Sequence, residues 1–426
     1  MKLVVIGYGP GGVSAATSAR IFNRDAEVII YTSEQLDAHQ KPGASLALEH
    51  PDTNALLIPD WSMKQLREMG IEINSGVRVV GIDTSSKTLR IDNEGSLTET
   101  NYDKLILATG GIPSVPEMKG ADLDGVFTIQ DMSDTSKIGQ RLDGLRTLFV
   151  IGAGFSGLEV AERLIDLGKD VHLVVRSRLM RRLLEESMSA ELLSRLPTTL
   201  NVHMGVSPEE ILGTERVKGI KLNDTTHNAD AILFMTGVKP NIGLATSMGL
   251  HIGDLGGIKV NNLLETSMQD VYSVGDCIEM FDRITGKPIL MPIGSVAARA
   301  GRQAGVAAAG GKKVYDDVSI RFQYDRIFDT DIVCVGHSSE TAKSVGLNTS
   351  IQYLEDPDEF TKVALVTKED GTLIGGQVIA PRMGARIGYQ IHERVEKGAK
   401  LTKAPLLDPL HKRMRDLLES TLGPIQ

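Results

Sequence analysis

The chain has 426 residues, 41% of them hydrophobic, and a formal charge of −9. That length exceeds one ordinary core and predicts two or three domains, while the negative balance argues against a nucleic-acid coat or an anionic membrane surface as the main partner. No apolar run reaches the roughly 18–20 residues of a membrane span, and Met1-Lys2 leads straight into "LVVIG", leaving no room for a secretory signal, so a cytoplasmic protein is expected.

The first segment, "KLVVIGYGPGGVSAATSARIFNRDAEVIIYT", reads as an apolar strand, a glycine turn, a helix of small residues and a β-branched strand, which is one βαβ unit. After a middle section ending in "YDKLILATGGIPSVP", the pattern returns as "RTLFVIGAGFSGLEVAERLIDLGKDVHLVVR". "ATGG" at Ala108–Gly111 has its echo in "MTGVKPN", Met235–Asn241. The duplication suggests two dinucleotide sites. Next comes "TSMQDVYSVGDCIE", a strand entering a Gly-Asp turn, then an alanine-rich helix "GSVAARAGRQAGVAAAGG". From about Val314 the texture changes to alternating apolar and polar runs, with a hairpin expected around Glu369-Asp370-Gly371 and a helix over "GARIGYQIHERVEKG". These residues read as a separate α+β domain.

Two motifs carry the chemistry. Gly7, Gly9 and Gly12 form GxGxxG between a strand and a helix: the first glycine permits the tight turn, the second lets backbone approach a pyrophosphate, and the third lets helix and strand pack closely. Gly152, Gly154 and Gly157 repeat it. About 20 residues beyond the second motif, where an acidic residue would hold a ribose 2′-hydroxyl, stand Arg176-Ser177-Arg178. They suit a 2′-phosphate, so NADPH is expected over NADH; the plainer reading makes them, with Arg181 and Arg182, one solvated basic face. Only two cysteines occur, Cys277 and Cys334, and neither sits in a paired motif, so a structural disulfide or a cysteine metal site is not expected.

The two glycine turns, "ATGG", "TGVKPN" and "YSVGD" at Tyr272–Asp276 together resemble the two-dinucleotide-fold flavoproteins, the pyridine nucleotide-disulfide oxidoreductase family. The resemblance covers nearly the whole chain. It implies an α/β protein with two Rossmann-like dinucleotide-binding domains, FAD-binding over 1–112 and 238–311 and NAD(P)H-binding over 113–237, and a C-terminal α+β interface domain over 312–426 that forms a homodimer. It places cofactor against Gly7, Gly9, Pro10, Gly11 and Gly12, against Ala108, Thr109 and Gly110, and against Gly237, Gly275 and Asp276, with Asp276 on the FAD ribityl chain and the alanine-rich helix pointing toward the flavin pyrimidine. Where the family has Glu at the end of the second strand, this chain has Thr32-Ser33-Glu34; Glu34 is the candidate for the FAD adenosine ribose, shifted by two.

In the coenzyme A disulfide reductase and NADH oxidase branch a single redox cysteine follows this strand. Here the segment runs Lys41-Pro42-Gly43-Ala44-Ser45. A thiolate is the nucleophile of disulfide exchange, and no side chain in this stretch replaces it. The segment is instead similar to that of rubredoxin and ferredoxin reductases, which implies Lys41 and Pro42 near the flavin and Glu159 as the ionic partner of Lys41. Ser45 standing where a relative has cysteine is the alternative. Cys277 and Cys334 read as core residues, and the tail keeps His411 in an amphipathic helix pattern. The expected activity is hydride transfer from NAD(P)H to FAD, then electron release to a small redox protein, dioxygen or a quinone. A disulfide or polysulfide reductase relative and a non-catalytic FAD-binding interaction protein are the other two classes.

Overall fold

A computed structural model describes residues 1–39, 43–49, 56–312 and 320–401. Two five-stranded parallel sheets dominate it. In the first, Lys2–Ile6 lies at the centre, flanked by Glu27–Thr32 and Ile71–Ser75 on one side and by Lys104–Leu107 and Val271–Ser273 on the other. In the second, Thr147–Ile151 is central, with Asp170–Val175 and Asn201–Met204 on one side and Ala231–Phe234 and Val126–Thr128 on the other. Four strands follow the same order in both sheets; the fifth, Val271–Ser273, comes last in the chain in the first sheet, whereas Val126–Thr128 precedes the central strand in the second.

The duplication reaches further than the glycine motifs. Each half carries a three-stranded antiparallel meander, Arg78–Asp83, Thr88–Asn93 and Ser96–Asn101 in the first, and Pro208–Gly213, Val217–Leu222 and Thr225–Asn228 in the second. Central strands such as "LVVI" and "LFVI" are buried along their length, as continuous apolar runs in a parallel sheet covered on both faces should be. Small residues set the closest helix contact: a Cβ at Gly301 or Gly305, on the helix Gly294–Ala308, would stand 2.1 Å from the carbonyl oxygen of Gly11 or Ala15 on the helix Pro10–Phe22. The alanine-rich composition is what lets the two backbones approach.

The chain passes between the halves twice, and the passages pair as an antiparallel ribbon, Gly111–Pro113 with Val238–Pro240. Thr109 Oγ1 donates to the Asn241 carbonyl at 2.7 Å and Asn241 Nδ2 donates to the Thr109 carbonyl at 3.3 Å, which ties "ATGG" to "VKPN". The third sheet is antiparallel, in the order Phe322–Ile327, Thr330–Gly336, Leu373–Ala380, Thr361–Lys368 and Thr349–Asp356, with the helices Ser339–Ser344 and Gly384–Glu396. The hairpin at Glu369-Asp370-Gly371 and the helix after it are as the sequence predicts. Among the described residues no helix is long and apolar enough to cross a membrane.

Candidate dinucleotide sites

The strands of each parallel sheet run in one direction, so residues that follow their carboxyl ends gather along one edge, the edge where open α/β sheets take ligands. At the first sheet that edge holds Gly7 to Gly12, Thr32 to Glu34, Ala108 to Gly110, and Gly275 with Asp276 in the 3-10 turn Gly275–Cys277. Gly7 has φ +115°, and a Cβ there would lie 2.1 Å from Ala108 O; a Cβ at Gly12 would lie 2.1 Å from Gly7 O. Both positions demand glycine for packing alone. Gly9 does not, because its Cβ would meet no protein atom within 4 Å.

Gly9 also caps the helix Pro10–Phe22 with no side-chain hydrogen bond, and Pro10 has no N–H to satisfy. The start of the helix therefore presents open space and backbone donors, the arrangement that receives a phosphate. Gly11 packs under the alanine-rich helix, its Cβ position 3.2 Å from Val274 Cγ2 and 3.4 Å from Ala297 O. Glu34 is half-buried two residues past its strand, where its backbone N–H donates to Thr32 Oγ1 at 3.1 Å. These positions fit a dinucleotide: the crowding is internal to the turn, and the one vacant glycine faces outward from it.

The second turn repeats the first. Gly152 also has φ +115°, with a Cβ 2.4 Å from Met235 O; at Gly157 the clash is 2.0 Å from Gly152 O, and at Gly154 and Gly237 nothing lies within 4 Å. Arg176 is exposed at the end of the strand Asp170–Val175. Arg178 is engaged elsewhere, donating to Glu340 Oε2 from Nη1 at 3.2 Å and from Nη2 at 3.1 Å, and to the carbonyls of Arg181 and Leu184. Of the arginines expected at the 2′-phosphate, Arg178 thus contacts the C-terminal unit, and Arg176 is exposed at the strand end.

Glu159 is half-buried on the helix Phe155–Asp166. Its expected partner Lys41, and Pro42, lie outside the described residues, as does His411. The described group that hydrogen-bonds Glu159 is Asp325, from the first strand of the C-terminal sheet, and burial, then the Asp325 charge, push the Glu159 carboxyl up to about 8. Asp325 is raised as well, chiefly by burial. The pair therefore shares one proton at neutral pH, held between the two carboxyls.

Gly43 opens the 3-10 turn Ala44–Leu48, and Ser45 within it is buried. Both cysteines are buried. Cys277 Sγ lies 3.2 Å from Val274 O and 3.4 Å from Ser273 Oγ, and burial pushes the Cys334 thiol up to about 12. A thiol so raised is not a thiolate at neutral pH.

Sequence reasoning missed several residues around these sites. Tyr8, inside the first glycine turn, is buried and donates through its hydroxyl to Trp61 O. His39 is buried, with Nε2 accepting the Met132 N–H at 3.2 Å and Nδ1 3.2 Å from Asp37 O, which joins the loop after the second strand to the start of the helix Met132–Gly139. Asp325 and Glu340 had no local signal; each is defined only by what lies opposite it.

Comparison with known proteins agrees with this geometry. The family model for pyridine nucleotide-disulphide oxidoreductases matches residues 1–311. An NADH oxidase of Methanocaldococcus jannaschii is 30% identical over 418 residues, covering 93% of this chain and 90% of that one. Among solved structures, an NAD-dependent persulfide reductase from A. fulgidus is 28% identical with a TM-score of 0.87, covering 97% of this chain and 80% of the other. A ferredoxin reductase from Rhodopseudomonas palustris is 25% identical with a TM-score of 0.82, covering 94% and 96%. Two glycine turns built alike, each on a parallel sheet and in a stretch that the family model spans, make this chain a member of the pyridine nucleotide-disulphide oxidoreductase family.

Proposed function

We propose that the protein is an FAD-dependent NAD(P)H oxidoreductase that passes electrons to an acceptor without a redox cysteine. The observation that carries the reading is the pair of equivalent turns, each with one glycine open to a ligand, in a chain whose only two thiols are buried. On this reading residues 1–112 with 238–311 hold FAD, and 113–237 hold NAD(P)H. Residues 312–426 join two copies; this unit has no glycine turn of its own and leaves Tyr324, Tyr353, Phe360 and Tyr389 exposed, which supports a homodimer. We place it in the cytoplasm.

FAD and the nicotinamide supply the two-electron chemistry when bound. The chain's residues do the rest. Backbone N–H groups at the start of Pro10–Phe22 and of Phe155–Asp166 receive the two pyrophosphates. Glu34 takes the adenosine ribose of the first site, Asp276 the ribityl hydroxyls, and Arg176 the 2′-phosphate of the second. The Glu159–Asp325 pair holds a proton at neutral pH close to the second turn, and Lys41 with Pro42 complete the first site. The acceptor class is a small redox protein, dioxygen or a quinone.

Two relatives bear on the acceptor. The ferredoxin reductase covers nearly the whole chain and favours a redox protein; the persulfide reductase favours a second reading, a sulfur reductase relative in which Ser45 occupies the place of an active cysteine. Purified protein with its flavin, mixed with NADPH and separate panels of redox proteins, quinones, oxygen and disulfides, decides. Turnover with an electron carrier and none with disulfides supports the first reading; the opposite pattern overturns it, and no turnover with any acceptor leaves the interaction-protein class.

A further inference from the structure

The loop that follows the second ribose strand is held from two sides. Toward the second glycine turn, the Met180 N–H donates to the Ala153 carbonyl at 2.8 Å, with Met180 in the left-handed region at φ +48°. Toward the C-terminal unit there are two separate contacts. One is buried and does not involve the arginine side chains: Glu185 accepts from the Ser339 N–H at 2.7 Å and from Ser339 Oγ at 2.5 Å, Gln377 bonds both the backbone and the carboxylate of Glu185, and Ser338 Oγ donates to the Arg182 carbonyl at 2.8 Å. The other is ionic and partly exposed: Glu340 takes both Nη atoms of Arg178 on Oε2 and Arg181 Nε on Oε1 at 2.9 Å.

The first contact ties the loop to the C-terminal unit without the arginine side chains. The second places one carboxylate across two of the four arginines that follow the strand, leaving Arg176 outside the described ion pairs. Resting on the reading that the second turn holds the nicotinamide nucleotide, we propose that Glu340 is a specificity-determining residue acting from the C-terminal unit. By drawing Arg178 and Arg181 to itself, it lowers the affinity of the strand end for a 2′-phosphate and so limits the preference for NADPH. Cofactor choice is then set partly by a residue more than 160 positions away in the chain.

The test is calorimetric binding of adenosine 2′,5′-bisphosphate and of 5′-AMP to flavin-loaded protein, for the parent, Glu340→Gln, Glu340→Asp and Arg176→Ala, alongside kcat/KM for NADPH and NADH. Removing this partly exposed charge and releasing the two arginines should tighten the bisphosphate and raise the NADPH over NADH ratio by about threefold to tenfold at low salt, with the gain shrinking as salt is added. 5′-AMP, which lacks the 2′-phosphate, should move by less than about twofold. Glu340→Asp keeps the charge and should stay near the parent. The inference is overturned if Glu340→Gln leaves the ratio unchanged or shifts it toward NADH, or if both nucleotides weaken together. If Arg176→Ala weakens the bisphosphate while Glu340→Gln does nothing, only the role of Glu340 is lost; if neither nucleotide binds the parent, the reading of the second turn fails and takes this inference with it.

Discussion

Replacing Gly9 and Gly12 in turn separates the two roles of glycine in the first turn. An alanine Cβ at Gly12 would stand 2.1 Å from Gly7 O and 3.0 Å from Gly7 C. These are backbone atoms of a buried turn and cannot rotate away. Overpacking of this kind costs about 1–3 kcal/mol, and contact with backbone puts Gly12→Ala at the upper end. At Gly9 the backbone is extended, φ −74° and ψ −179°, a conformation any residue adopts, and nothing lies within 4 Å of the Cβ. There, losing a favourable N-cap residue costs about 1 kcal/mol and reducing unfolded-chain entropy returns about 0.4–1 kcal/mol, so Gly9→Val is expected to leave the apoprotein's stability nearly unchanged. Its side chain would occupy the space proposed for the FAD pyrophosphate. The assay is urea unfolding of flavin-free protein, paired with the flavin-to-protein absorbance ratio after reconstitution. Gly9→Val should match the parent in the first measurement and hold no flavin in the second. A Gly9→Val protein that binds a full complement of FAD, or whose apo form is as unstable as Gly12→Ala, refutes the assignment of roles within the turn.

Other outcomes follow from the second half of the chain. Arg176→Ala should lower kcat/KM for NADPH by roughly tenfold to a hundredfold, the worth of one charge-assisted hydrogen bond, and leave NADH little changed; steady-state kinetics with both cofactors checks this. Stability should decline at both ends of the pH range, read as denaturant midpoints. His203, stacked against Phe149 and His172 and hydrogen-bonded to His172 at 2.8 Å, is held below its ordinary range by burial and then by His172 and His227. The unfolded chain therefore binds more protons below about pH 6.5, and stability falls as pH drops through that value. Glu159 is the reverse case: its folded pKa near 8 lies above the ordinary 4.5, so the folded state binds the extra proton and stability falls as pH rises between those values. Glu159→Gln should flatten that upper slope. Light scattering at micromolar concentration should give a dimer for the parent and a monomer for a chain with Tyr353 and Tyr389 changed to aspartate.

The two dinucleotide folds were legible because their signals are local. Gly7 and Gly152 stand at φ +115° with a carbonyl where a Cβ would be, so the backbone alone dictates the residue, and the central strands are buried enough to read as unbroken apolar runs. The meanders were not legible. Ser96–Asn101 is almost wholly exposed, so no burial imposes alternation on it. Nor were the contacts of charged side chains. The Arg178 contact with Glu340 was not legible because Glu340 lies on a different sheet's helix, nor the Glu159 contact with Asp325, which comes from a hairpin strand far along the chain. Which carboxylate meets which arginine is settled by tertiary packing, and neither residue type nor spacing encodes it.

On the proposed mechanism, electrons reach the acceptor from the flavin with no thiol in between. Anaerobic titration of the flavin-loaded protein with NAD(P)H tests it most directly. With Cys277 and Cys334 both buried and the segment from Lys41 to Ser45 free of cysteine, about one NAD(P)H per FAD should bleach the flavin, no long-wavelength thiolate band should appear, and the result should be the same when both cysteines are serine. A requirement for about two equivalents per FAD, with a charge-transfer band that vanishes when Cys277 or Cys334 is replaced, would show a thiol relay between flavin and acceptor.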